Sequence, residues 1–193
     1  REIAAGQPAA AVVAIDDSVI AEELSRIFTR PTLRVYTNPD VVGCEVAGVV
    51  KNVIAIASGM AAGLGFGDNT KATIITRGLA EMTRLGMAMG ANTFTFAGLA
   101  GMGDLIATCS STQSRNNTVG LRLGGGETID AILASMNMVA EGVKSSPAVL
   151  DLARRHGVEM PIVEQVVAVC HGQRGVPEAM AQLMGRRRRS EMG

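Results

Sequence analysis

The spacing of apolar positions divides the chain near residue 40. Residues 9–15, Ala-Ala-Ala-Val-Val-Ala-Ile, form a short apolar run closed by Asp16-Asp17-Ser18, which predicts a buried strand followed by a helix cap. From 19 to 28 the pattern becomes helical. Ile20, Leu24, Ile27 and Phe28 share one face, with Glu22, Glu23 and Arg26 lying elsewhere. Pro31 then ends the helix, and Leu33-Arg34-Val35-Tyr36-Thr37 predicts a second strand. Strand, helix, strand implies a parallel pair, the far end of a doubly wound α/β domain. After Asn38-Pro39-Asp40 no alternating pattern recurs, and the remainder predicts helices over 41–62, 69–89, 104–109, 113–123, 129–136, 141–156, 162–170 and 177–189. The expected fold is therefore mainly α: residues 1–40 as the distal remnant of a Rossmann-like dinucleotide-binding domain, and residues 41–193 as an all-α domain for substrate binding and catalysis.

The opening residues, Arg1-Glu2-Ile3-Ala4-Ala5-Gly6, lack a signal peptide's apolar core and read as the last turns of a helix ending at glycine, so the sequence is expected to begin in mid-fold. The stretch 41–63 is long and apolar enough to span a bilayer. It carries Glu45, Lys51 and Asn52, however, and each ionisable group at such a depth costs about 3 kcal/mol, which favours the core helix of a soluble protein over membrane insertion.

Composition adds limits. The 193 residues are 47% hydrophobic and 19% charged, enough for a sizeable core, and 18 basic residues balance 18 acidic ones. No overall field attracts nucleic acid, and the run Arg186-Arg187-Arg188-Arg189 has no interleaved aromatics, so it reads as a solvated helix end. Cys44, Cys109 and Cys170 form no CxxC pair, and His156 and His171 have no metal-ligand spacing. No metal is expected, and a reducing cytoplasmic compartment is the simpler inference.

Three clusters carry candidate chemistry. Lys51 lies midway along the most apolar helix, between Val49, Val50, Val53 and Ile54, where burial disfavours a charged ammonium and suits proton exchange with a substrate oxygen. Its same-face neighbours Ala47, Gly48, Ala55 and Ser58 are small, which predicts a shallow open slot around it. The structural alternative, a lysine snorkelling from a helix end, suits so central a position poorly. The second cluster, residues 98–109, is a glycine-rich turn feeding a helix with Asp104 at its start, either as an N-cap or as a carboxylate facing Lys51. The third is Ser114-Arg115-Asn116-Asn117 after Ser110-Ser111-Thr112-Gln113: a helix start with a guanidinium, suited to phosphate or to carboxylate. Neither 98–103 nor Gly63-Leu64-Gly65-Phe66-Gly67 has the spacing and strand context of a dinucleotide fingerprint.

Several blocks resemble the carboxy-terminal domain of NAD(P)-dependent glycerol-3-phosphate dehydrogenase over essentially the whole chain. They are Arg34-Val35-Tyr36-Thr37-Asn38-Pro39-Asp40, Gly48-Val49-Val50-Lys51-Asn52-Val53-Ile54-Ala55-Ile56 and Thr76-Arg77-Gly78-Leu79-Ala80-Glu81-Met82, then Ala100-Gly101-Met102-Gly103-Asp104-Leu105, Gln113-Ser114-Arg115-Asn116, Ala140-Glu141-Gly142 and Gly157-Val158-Glu159-Met160-Pro161-Ile162. The resemblance implies an oxidoreductase interconverting sn-glycerol 3-phosphate and dihydroxyacetone phosphate with NAD or NADP, supplying glycerol phosphate for phospholipid synthesis. It implies Lys51 as the catalytic acid/base and Asp104 as its orienting partner. Substrate contacts would come from Lys51, Asn52, Asp104, Thr108, Ser114, Arg115 and Asn116, and cofactor contacts from Arg115, Val139 and Glu141. The family's glycine-rich cofactor loop has no counterpart here, so these 193 residues alone are expected neither to bind the cofactor tightly nor to turn over. The resemblance is compatible with a homodimer. Two other readings remain open: another β-hydroxyacid dehydrogenase, which would need a carboxylate site, and a helical dimerisation module without chemistry, to which Met82, Met87 and Met89 give some support.

Overall fold

The computed structural model describes residues 2–136 and 138–185. Strand β1 (Ala9–Ala14) pairs in parallel with β2 (Leu33–Asn38), Ala9 opposite Leu33 and Ala14 opposite Asn38, and helix α1 (Ser18–Phe28) connects them. The predicted cap is present: the Asp17 carboxylate accepts from the Val19 and Ile20 amides, satisfying two donors that have no partner within the helix. Upstream, the expected helix end is a 3-10 turn, Ile3–Ala5, closed by Gly6 in the left-handed conformation. The apolar face of α1 stays open, with Ile20, Ile27 and Phe28 about half exposed and only Ala21 of the helix buried.

Among the described residues all remaining elements are helical: α2 (Val41–Gly63), α3 (Asp68–Ala88), α4 (Thr93–Ala97), α5 (Asp104–Ser110), α6 (Arg115–Gly124), α7 (Ile129–Ser135), α8 (Glu141–Arg155), α9 (Pro161–Cys170) and α10 (Val176–Met184). This is the mainly α chain that the sequence predicts, with its β-α-β unit at the start. Short α4 and the five-residue π-helical turn Leu99–Gly103 that runs directly into α5 were not anticipated. The predicted extension of α10 to 189, with its arginine run, lies outside the described residues.

Helix α2 is the axis of the fold, and α3, α5, α6, α8 and α9 pack around it. From Val53 to Ala61 every residue is buried, so this stretch has no solvent face, as expected of a helix that is apolar all round. The contact with α6 is backbone on backbone. A methyl group at Gly120 would lie 2.0 Å from the Ile56 carbonyl oxygen, and one at Gly63 2.2 Å from that of Leu121. Glycines on both helices therefore set the separation of α2 and α6. The start of α2 is fixed by Asp40, which accepts from the Gly43 amide (2.9 Å), the Asn92 amide (2.8 Å) and the Thr95 hydroxyl (2.6 Å). Burial raises the affinity of Asp40 for a proton, but these three donors outweigh it and hold the carboxyl below its usual range.

Candidate active site

The middle of α2 delivers Lys51 to one flank of the helix, with its side chain about four-fifths buried. Its ammonium donates to Asp104 Oδ2, and the other carboxylate oxygen, Oδ1, accepts from the Thr108 hydroxyl at 3.2 Å. Residues 104 and 108 stand one turn apart on α5, so Thr108 steadies the carboxylate that holds the lysine. Asp104 is no N-cap. The π turn continues into α5 with Gly103 already helical, which leaves the carboxylate free to face α2. The slot around Lys51 is narrower than its small neighbours imply: Ala47, Ala55 and Ser58 are buried in the packing around α2, and open space remains only beside Gly48.

Next to Lys51, Asn52 is tied to the start of α6. Its Oδ1 accepts from Asn116 Nδ2 at 3.0 Å, while its own Nδ2 donates to the Gly48 carbonyl at 3.2 Å. Asn116 is buried, and its Oδ1 accepts from the Gly142 amide at 2.9 Å, reaching the first turn of α8. Ser114 caps α6 by accepting from the Asn117 amide at 3.3 Å, so its hydroxyl already serves the helix. The Arg115 and Asn116 amides, at the first two positions of α6, have no acceptor within the helix. Arg115 is exposed and donates through Nη1 to the Val139 carbonyl at 2.9 Å, leaving most of its guanidinium donors unused by that bond. The structure thus brings the predicted residues together in two connected groups: Lys51, Asp104 and Thr108, and Asn52, Ser114, Arg115 and Asn116 with the 139–142 segment.

The site is a surface rather than a cavity. The Asp104 side chain is 42% exposed and Val139 47%, and the apolar Val49, Met102 and Ile106, close to the pair in sequence, are exposed as well. Two concavities lie on α8, α9 and α10, around residues such as Arg154, Glu164 and Gln182, and contain none of the predicted site residues. Arg115, Val139 and Glu141 suit one edge of a nicotinamide cofactor, with a guanidinium beside the exposed start of α8. A phosphate-cradling glycine turn is missing from both strand-to-helix junctions described here, which read Ile15-Asp16-Asp17 and Pro39-Asp40.

Two features escaped the sequence reading. Glu81, almost wholly buried on α3, accepts from the Ile162 amide (2.8 Å) and the Val163 amide (3.3 Å), capping α9 across 81 positions of chain. Burial pushes its carboxyl up to about 7, against the lowering effect of those two donors and of Arg84. The other is Gly142, whose missing side chain matters because of what lies against it. Burial also pushes the Cys109 and Cys170 thiols up to about 12, which removes both from consideration as nucleophiles.

Comparison with known proteins gives this arrangement a family. Glycerol-3-phosphate dehydrogenase [NAD(P)+] of Streptomyces coelicolor is 56% identical over 191 residues, covering 99% of this chain and 57% of that protein. A second protein of that name from Sphingopyxis alaskensis is 57% identical over 184 residues, covering 95% and 55%. The crystal structure of glycerol-3-phosphate dehydrogenase from Coxiella burnetii superimposes with a TM-score of 0.92 at 39% identity, over 96% of this chain and 57% of that one. The yeast enzyme from Saccharomyces cerevisiae gives 0.84 at 25% identity, over 94% and 56%. This chain therefore spans a little over half the length of the relatives it matches. The family described as NAD-dependent glycerol-3-phosphate dehydrogenase C-terminus matches residues 40–181, and the chain belongs to it.

Proposed function

We propose that this chain supplies the helical, substrate-gripping side of a cytoplasmic dehydrogenase that interconverts sn-glycerol 3-phosphate and dihydroxyacetone phosphate, and so supplies glycerol phosphate for phospholipid synthesis. Residues 1–40 form the distal part of the dinucleotide-binding domain in this reading, and residues 41–193 the substrate domain. The observation that carries it is the Lys51–Asp104 pair, joined to the first turn of α6 through the adjacent Asn52 and its bond to Asn116. In alcohol oxidation the amine form of Lys51 takes the proton of the carbinol hydroxyl; in reduction its ammonium returns a proton to the carbonyl oxygen. Asp104, steadied by Thr108, holds the nitrogen in place and balances its charge when protonated. Arg115 and the free amides at the start of α6 receive the phosphate, which fixes the carbinol carbon relative to Lys51. Arg115, Val139 and Glu141 would hold one edge of NAD or NADP, which when bound would supply the hydride acceptor for oxidation and the hydride donor for reduction. Its principal grip is assigned to the portion of the relatives' length that this chain does not match.

The decisive variant is Lys51→Ala in the native-length enzyme. Turnover of dihydroxyacetone phosphate should fall by roughly 10²–10⁴-fold, as for loss of a general acid/base, while circular dichroism and the thermal midpoint stay close to the parent's. Unchanged turnover would remove Lys51, and this reading with it.

A further inference from the structure

The side-chain amides beside Lys51 form a continuous bridge across three helices. The Gly142 amide at the start of α8 donates to Asn116 Oδ1 (2.9 Å), Asn116 Nδ2 donates to Asn52 Oδ1 (3.0 Å), and Asn52 Nδ2 donates back to the α2 carbonyl of Gly48 (3.2 Å). Both side-chain oxygens along the bridge are occupied. The amide groups thus work as spacers of fixed length between α8, α6 and α2. They leave no slack at the α8 end. A Cβ at Gly142 would lie 2.7 Å from the Asn52 backbone oxygen and 2.9 Å from Asn116 Oδ1, closer than real Cβ contacts come. Gly142 has no left-handed φ, so the need for glycine here is one of space and not of backbone conformation.

We propose that Gly142 is a positioning residue: its bare backbone lets α8 close onto the Asn116–Asn52 bridge, and this seats the 139–142 segment, which holds Arg115, against the α2–α6 pair and so places the phosphate-receiving guanidinium relative to the proton-handling Lys51. The proposal rests on the functional reading above. It also separates two parts of Asn116, whose backbone amide has no acceptor within the helix while its side chain is committed to the bridge. Arg115 is held in the same way from the other end of the segment, through the Val139 carbonyl. Residues 139–142 therefore brace both neighbouring side chains at the start of α6. A change at Gly142 should disturb substrate grip and proton transfer together, because an added methyl group would press on the Asn52 carbonyl next to Lys51 and on the Asn116 side chain next to Arg115.

The test is Gly142→Ala in the native-length enzyme, with KM for dihydroxyacetone phosphate and kcat measured separately and the thermal midpoint recorded. The expected result is a rise in KM together with a fall in kcat, on the order of 10²-fold in kcat/KM, the effect of an ångström-scale misplacement, with the fold retained. Unchanged kinetics, or a change in KM alone, overturns the proposal. If the variant does not fold, a double-mutant cycle of Asn52→Ala and Asn116→Ala decides: strong coupling in kcat/KM supports the bridge, and independent effects overturn it. Lys51→Ala run alongside separates the two readings, since full activity in that variant defeats the functional assignment whatever Gly142 does.

Discussion

The β-α-β unit and the helices around α2 differ in how much of their own apolar surface they cover. In the first, Val35 and Ala21 are buried while Ile20, Ile27 and Phe28 lie open; in the second, nine consecutive residues of α2 have no solvent face. The helical region holds a continuous buried core around α2, whereas the two strands and α1 present an apolar face that is left uncovered. A two-stranded sheet with one helix has little to bury against, and stability in this chain must come almost entirely from residues after 40.

That contrast can be broken at chosen positions. The largest effect is expected at Ile54, which has no exposure: Ile54→Ala should cost about 2–5 kcal/mol in chemical denaturation, through lost burial and the cavity left behind. Glu81 comes next. Its carboxyl binds a proton more tightly in the folded chain (about 7) than its usual value of 4.5 allows in the unfolded chain, so its contribution is most favourable below 4.5 and is lost as pH rises to about 7. Relative to Glu81→Gln, the parent's stability should therefore decline across that window, by an amount on the order of 3 kcal/mol. Equal pH profiles for the two proteins would show that the α9 amides keep Glu81 ionised throughout. The smallest effect belongs to the open region: Phe28→Ser should change the stability of these 193 residues by no more than about 0.5 kcal/mol. A loss comparable to that at Ile54 would mean that the α1 face is covered after all, and the contrast would fall.

Much of this organisation is legible in the sequence because the signals are local. The strand runs, the Asp17 cap, the length of α2 and the isolation of Lys51 all follow from residues within a few positions of one another. The pairing of Lys51 with Asp104 is stated by the sequence only as one of two uses for that aspartate, since a glycine-rich stretch does not reveal a π turn. Bonds across long stretches of chain leave no trace of this kind. Asn52 and Asn116 stand 64 positions apart, and Glu81 reaches α9 across 81. Each looks in sequence like an ordinary polar residue on a helix, and the resemblance offers Asn52 and Asn116 only as substrate contacts. The open face of α1 is likewise invisible to periodicity, which identifies an apolar face but not what lies over it.

The glycine contact between α2 and α6 bears on how such a site could move. Where one helix backbone rests directly on another, no side chains remain to slide or change rotamer, and a shift of either helix would drive carbonyl oxygens into α-carbons. Lys51 and the start of α6 therefore travel as one body. Any closure over a substrate has to come from a part outside that body, and not from the two helices changing their spacing.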